Sequence, residues 1–200
     1  ALGNLYQAQD RHEEAVRYYR RAAELHVGLH DRRAEGFDRH NAALSLIRLR
    51  QLDEARRELK RAVECDESFG HAARPWVTFD HLATLERAAG DPAAASEARA
   101  CARATFFAYR RDGGENPNPA AHLARLVAEA VDSGSTAETY ATLTDLAANS
   151  DRSAGNGPVV VALLTILHGN RDPALADDPA LDFDDAAEIQ LLLEHLARCD

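Results

Sequence analysis

His26 and His30 stand four residues apart, on one face of a helix if the segment is helical, with Asp31 adjacent, a spacing that could hold Zn²⁺ or another divalent cation. Val27 occupies the place of the glutamate in an HExxH motif, and no third ligand follows at a usual spacing. The stretch from Asp172 to Asp185 holds six aspartates. Read as a calcium loop from Asp177, it puts Glu188 at position twelve, but Pro179 replaces the third ligand and Asp182 the required glycine. Its echo, Asp172-Pro173-Ala174-Leu175 and Asp178-Pro179-Ala180-Leu181, predicts two successive Asp-Pro caps, with Asp184 and Asp185 meeting the positive end of a final helix. Gly155-Asn156-Gly157-Pro158 lacks the lysine and hydroxyl residue of a phosphate-binding loop, and Pro158 removes a donor where donors are wanted. Cys65, Cys101 and Cys199 are odd in number and widely spaced, as expected of inert thiols in a reducing compartment. No catalytic constellation emerges, so the sequence points away from an enzyme and calls for no cofactor. A metal- or small-ligand-binding regulator using His26 and His30, or the 172–185 segment, is the alternative to a binding module.

The elements that must position any site are helical. Hydrophobic content of 46% with 28% charged and 6% aromatic residues, and recurrent alanine, describe a soluble all-α chain. Residues 1–111 hold 19 basic against 17 acidic side chains and residues 112–200 hold 4 against 16, giving the net charge of −10. The acidic second half would repel a nucleic-acid backbone. No apolar run is long enough to cross a membrane and no signal peptide opens the sequence, so a cytoplasmic protein without nucleic-acid or membrane partners is expected. The absence of methionine suggests a chain that is processed or cut from a larger protein, and one lysine among 23 basic residues fits a GC-rich genome.

Periodicity and capping signals predict helices near 1–9, 12–29, 33–50, 52–68, 74–89, 92–111, 120–132, 136–149, 158–168 and 185–198. Asp10 with Glu13 reads as a capping box, and Gly90-Asp91-Pro92 as stop, cap and first turn. Val159-Val160-Val161 is open to a short strand as well. Residues 112–119, with two glycines and two prolines, form a linker that divides a domain over 1–111 from a helical region over 120–200.

Within the first domain residues recur every 40 positions: Ala15, Ala55 and Ala95; Ala22, Ala62 and Ala102; Gly3, Ala43 and Ala83. Small residues in register let neighbouring helices approach closely. Leu2-Gly3, Tyr6, Ala15, Tyr19 and Ala22 resemble, in order and spacing, the tetratricopeptide repeat, over residues 1 to about 111 and with a period longer than its usual ~34 residues. Tyr6 becomes Leu46 and then Glu86, and Tyr19 becomes Leu59 and then Arg99, so repeat three is expected to be shifted in register, with Phe106, Phe107 and Tyr109 supplying its missing aromatic packing.

The resemblance implies a right-handed solenoid of about three helical hairpins, its first helix about five residues short, followed by a four-helix cap or degenerate repeats. It further implies a protein-binding module, the partner-binding or regulatory arm of a larger bacterial signalling protein. The first helix of each hairpin would then line a concave groove with Asn4 and Gln7, with His40, Leu44, Ile47 and Arg48, and with Asp80, Thr84 and Arg87. Only Asn4 fits the carboxylate clamp of chaperone-binding members, while Leu44, Asp80 and Thr84 depart from it. Leu44 and Ile47 beside Arg48 and Arg87 suit a peptide ligand that is an amphipathic helix with an acidic flank, unless the two apolar side chains pack beneath neighbouring helices.

Overall fold

A computed structural model describes residues 2–149 and 157–198. Ala1, Gly155, Asn156 and Cys199 lie outside them. The described residues form α1 (Leu2–Ala8), α2 (His12–Gly28), α3 (Arg32–Arg48), α4 (Leu52–Asp66), a 3₁₀ segment (Glu67–Ala73), α5 (Pro75–Ala89), α6 (Pro92–Arg111), α7 (Pro119–Ser133), α8 (Ala137–Asn149), α9 (Gly157–Leu167), a second 3₁₀ segment (Pro173–Asp177) and α10 (Phe183–Leu196). No strand occurs among them, and Val159, Val160 and Val161 are helical. The chain divides into two compact units, Ala1–Thr105 and Phe106–Asp200.

In the first unit α2 packs on α1 and α3, and α4 on α3 and α5. Ala15, Ala42, Ala43, Ala55, Ala62 and Ala102 are fully buried, which is the packing that the 40-residue recurrence of small residues requires. Gly3 lies beneath the Tyr19 ring, where a Cβ would come within 2.6 Å of it. The period also fixes the turns. Asp10, Arg50 and Gly90, one per repeat, all take left-handed backbone, with φ of 54°, 60° and 82°. Each donates its N–H to the carbonyl three residues back, while the next residue reaches five back. Asp10 therefore ends α1 and does not cap α2, and the capping box expected there is replaced by Arg11 paired with Glu14. Asp31 and Asp91 do act as caps, accepting from the N–H of Ala34 and Ala94. Gly90 keeps the third repeat in the same register as the others.

Buried glutamates tie the helices together. Glu35, Glu58 and Glu86 are 2%, 7% and 4% exposed. Arg20 of α2 reaches Glu58 at 2.7 Å and Glu54 at 2.8 Å on α4. Arg39 reaches Glu58 at 3.0 Å, Arg61 reaches Glu35 at 2.9 Å, and Arg56 of α4 grips both oxygens of Glu86 on α5 at 2.6 and 2.7 Å. Glu86 thus fills the column of Tyr6 and Leu46 because it anchors an arginine from the preceding hairpin. In repeat one the same column is aromatic, with Tyr6 stacked on Tyr18 at 5.0 Å and capped by the Arg11 guanidinium.

The second unit has its own core, built on Leu123, Val127, Val159, Leu163, Ile166, Leu181, Ile189 and Leu193. Phe106 belongs here, edge-on to Phe183 at 5.6 Å. Asp172 and Asp178 accept from the N–H of Ala174 and Ala180, as two successive Asp-Pro caps. Arg110 and Asn116 hold the buried Glu188 at 2.6 and 2.9 Å. Asp185, beneath the start of α10, is bound by Asn118 at 3.2 Å. Burial and the neighbouring Asp184, Asp182 and Glu188 push its carboxyl up to about 7, and Asp184 and Asp185 both lie in the first turn of α10, where the sequence placed them.

Two outcomes are expected from these features. Arg50→Gly should raise stability to urea by about 0.5–1 kcal/mol, because glycine relieves the left-handed strain, while Arg50→Ala should give no gain. Glu58→Ala should cost about 2 kcal/mol, as Arg20 loses its more buried acceptor and Arg39 one of its two.

Candidate functional site

The first helices of the three hairpins carry the residues that sequence geometry assigns to a groove. Asn4 is exposed and Gln7 half-buried, and both side-chain oxygens stand 2.8 Å from the Tyr19 hydroxyl. On α3, His40 and Leu44 are half-buried and Arg48 is exposed. Ile47 is half-buried too and packs against the core cluster that includes Leu46, Leu59 and Leu85, so part of its side chain belongs to the core. On α5, Thr84 and Arg87 are exposed and Asp80 half-buried.

His40 leads to a feature the sequence did not disclose. Its Nδ1 lies 3.2 Å from the Thr78 hydroxyl, which in turn lies 3.3 Å from Asp66 Oδ2. An ionised carboxylate only accepts, so Thr78 donates to Asp66 and receives the Nδ1 hydrogen of His40. The His40 ring meets His81 edge-on at 4.9 Å. Burial, aided by His81, lowers the His40 pKa to about 4, and the ring is neutral at physiological pH. Burial raises Asp66 to about 6, which the Thr78 hydrogen bond only partly offsets. These three side chains wall a pocket of about 360 Å³, with Gly36, Phe37 and Arg74 among its other lining residues. The wall opposite α3 is the 3₁₀ segment and the start of α5, where Arg74 takes left-handed backbone at φ 55°. That irregular segment falls between two helical periodicities, which is why spacing alone does not place Asp66, Arg74 and Thr78 beside His40.

The histidines singled out in the sequence do not meet. His26 faces Asp38 at 3.5 Å, and His30 sits in left-handed backbone beyond the end of α2. Among the described residues, no three His, Cys, Asp or Glu side chains gather closely enough to hold a metal ion. Cys65 is buried and burial raises its pKa, as an inert thiol requires. No described helix is long and apolar enough to cross a membrane.

Comparison with known proteins now bears on this arrangement. Residues 1–68 match the tetratricopeptide repeat family. Over that stretch the chain is similar to tetratricopeptide repeats. The tetratricopeptide fold is also that of a crystal structure of a Podosopora anserina putative kinesin light chain with nearly identical TPR-like repeats, 16% identical, spanning 100% of this chain and 93% of that one at a TM-score of 0.50. A single-substitution variant of the same protein matches at 16% identity over 99% and 92%, also at 0.50. No curated protein matches the sequence. At this identity the likeness is one of fold, and it agrees with the tetratricopeptide hairpins seen here.

The raised Asp66 pKa makes a signed expectation. A carboxyl held at about 6 when folded, against 3.8 ordinarily, binds its proton more tightly in the folded chain, so its contribution favours folding below about pH 4 and is lost as pH rises through 6. Carbon-detected NMR should give an Asp66 midpoint near 6, and Asp66→Asn should be more stable than the parent by about 1 kcal/mol at pH 7.5, with the gap closing at pH 4.

Proposed function

We propose that the concave face presented by α1, α3 and α5 binds a polypeptide partner, and that the protein acts by binding and not by catalysis. Tetratricopeptide repeats generally mediate protein–protein interaction. The observation that carries the reading to this face is an exposed arginine, Arg48, one turn from the half-buried Leu44 on α3. Arg20, Arg39, Arg56 and Arg61 each hold glutamates between the helices. Arg48 and Arg87, at the ends of α3 and α5, are exposed and have no carboxylate partner among the described residues. Cations kept out of the internal pairing are available to an external one, and they enlarge the encounter rate with an acidic ligand.

Leu44, half-buried one turn before Arg48, offers apolar surface beside them. The ligand that fits is an amphipathic helix with an acidic flank, laid with its apolar side on Leu44. The setting that suits such a face is the partner-binding arm of a larger signalling protein in the bacterial cytoplasm.

A photo-crosslinking residue placed at Leu44 should capture a polypeptide from the native host, and the same residue at the exposed Arg57 of α4 should not. Against the captured partner, Leu44→Ser and Arg48→Glu should each lower affinity about tenfold while moving the thermal midpoint by only a few degrees. Ile47→Ser should instead destabilise the fold. Equal capture at both positions would refute the groove.

A further inference from the structure

Among the described residues, the half-buried acid at the pocket beside His40 differs from the four buried acids of this unit. Glu35, Glu58 and Glu86 each have at least one arginine within hydrogen-bond distance, and Asp38 has His26. Asp66 has only the Thr78 hydroxyl at 3.3 Å and no cation among the described residues. A desolvated carboxylate without a counter-charge is costly, and here it lines a cavity.

The surroundings leave that carboxylate open to the cavity. Gly36 has no side chain, and a Cβ there would stand 3.3 Å from Asp66 Oδ1 and 2.9 Å from the Cys65 Cβ. Thr78 is engaged through Oδ2, so Oδ1 has no hydrogen-bond donor among the described residues. His40, neutral and committed through Nδ1 to Thr78, supplies no charge of its own. Depth follows exposure: Thr78 and Gly36 are buried, Asp66 and His40 half-buried, while Phe37, Arg33 and Arg74 are exposed and form the mouth. Phe37 is 59% exposed, an aromatic face at the entrance to an anionic floor.

We propose that this pocket receives the basic side chain of a bound polypeptide, a lysine or arginine flanked by acidic residues. The inference rests on the groove reading above and deepens it. The cationic head pairs with Asp66 Oδ1 on the floor, and the aliphatic stem lies along the Phe37 ring and Val77. Arg33 and Arg74, which have no carboxylate partners among the described residues, attract the acidic neighbours and repel a run of basic ones. The charge order of floor and rim is therefore read as an acidic, basic, acidic pattern in the ligand. Ion pairing replaces the uncompensated charge of Asp66, so cation binding tightens as pH rises through its titration.

The whole chain can be titrated, by NMR and calorimetry, with three blocked tripeptides: acetyl-Glu-Lys-Glu-amide, the same peptide with norleucine for lysine, and acetyl-Lys-Lys-Lys-amide. Norleucine keeps the stem and removes the charge. The Glu-Lys-Glu peptide should bind at least about tenfold more tightly than either other, with shifts centred on Thr78 and His40. Asp66→Asn, which keeps the Thr78 bond and the fold, should bring it down to the norleucine level, and Arg74→Ser should narrow its advantage over trilysine. Equal binding of the lysine and norleucine peptides, an unaltered affinity in Asp66→Asn, or no saturable binding at millimolar peptide would overturn the pocket assignment. If Leu44→Ser and Arg48→Glu still weaken the captured partner in that event, the groove stands and only the pocket fails. If the peptides behave as expected but those two variants do not weaken the partner, the pocket stands and the groove reading fails.

Discussion

A carboxylate taken out of water must be matched by a cation or surrender its charge, and the first unit is arranged around that demand. Alanines and glycines bring the helices close, but small-residue contact is nearly isotropic and leaves sliding along the axis cheap. The glutamates on α3, α4 and α5 remove that freedom. Arg20 must meet α4 at the level of Glu54 and Glu58, and Arg56 must meet α5 at the level of Glu86, because a displaced partner would leave a buried charge unpaired. The arginines are less buried than Glu35, Glu58 and Glu86, so water still reaches the guanidinium side. Glu35 illustrates the balance: burial pushes its pKa up, yet Arg61 and Arg39 together hold it below the ordinary value.

The same demand explains why the repeat fades in sequence faster than in structure. At the first position of the Tyr6, Leu46, Glu86 column an aromatic stack fills the space, at the second an aliphatic core, and at the third a salt bridge to the preceding hairpin. Three chemistries satisfy one geometric slot. The Asp10, Arg50, Gly90 column behaves alike, since all three accept the left-handed turn although only the last is a residue that adopts it freely. Backbone geometry is conserved along the period while side-chain identity drifts.

That distinction sets what was legible beforehand. Helix positions followed from apolar spacing, and each of the ten was expected within a few residues of where it lies. Small-residue columns announced the close packing. Asp10 misled because an aspartate before a glutamate signals a cap in isolation, whereas the short loop leaves it to close the preceding helix. Groove residues were legible only as helix faces. Periodicity places Leu44, Ile47 and Arg48 on one side of α3, but it does not say how far Leu46, Leu59 and Leu85 cover Ile47. The pocket was the least legible part, because it joins α3 to a 3₁₀ segment that belongs to no repeat.

The pocket and the groove also differ in what fixes them. The residues proposed for the groove owe their placement to helix phase, with Arg48 exposed and Leu44 half-buried. Asp66 occupies a place where phase, chain path and burial intersect: it ends α4, accepts from α5 through Thr78, and faces the bare backbone of Gly36 on α3. Elsewhere in the unit an arginine supplies the countercharge to a buried glutamate, from the neighbouring hairpin for Glu58 and Glu86 and from within the hairpin for Glu35. After α4 the chain leaves the helical path for seven residues, and the arginine it carries there, Arg74, stands at the mouth of the pocket. Among the described residues the internal pairing is therefore interrupted at Asp66, a half-buried acid that lines a cavity, which must keep its charge through a cation from outside the chain or give the charge up by taking a proton.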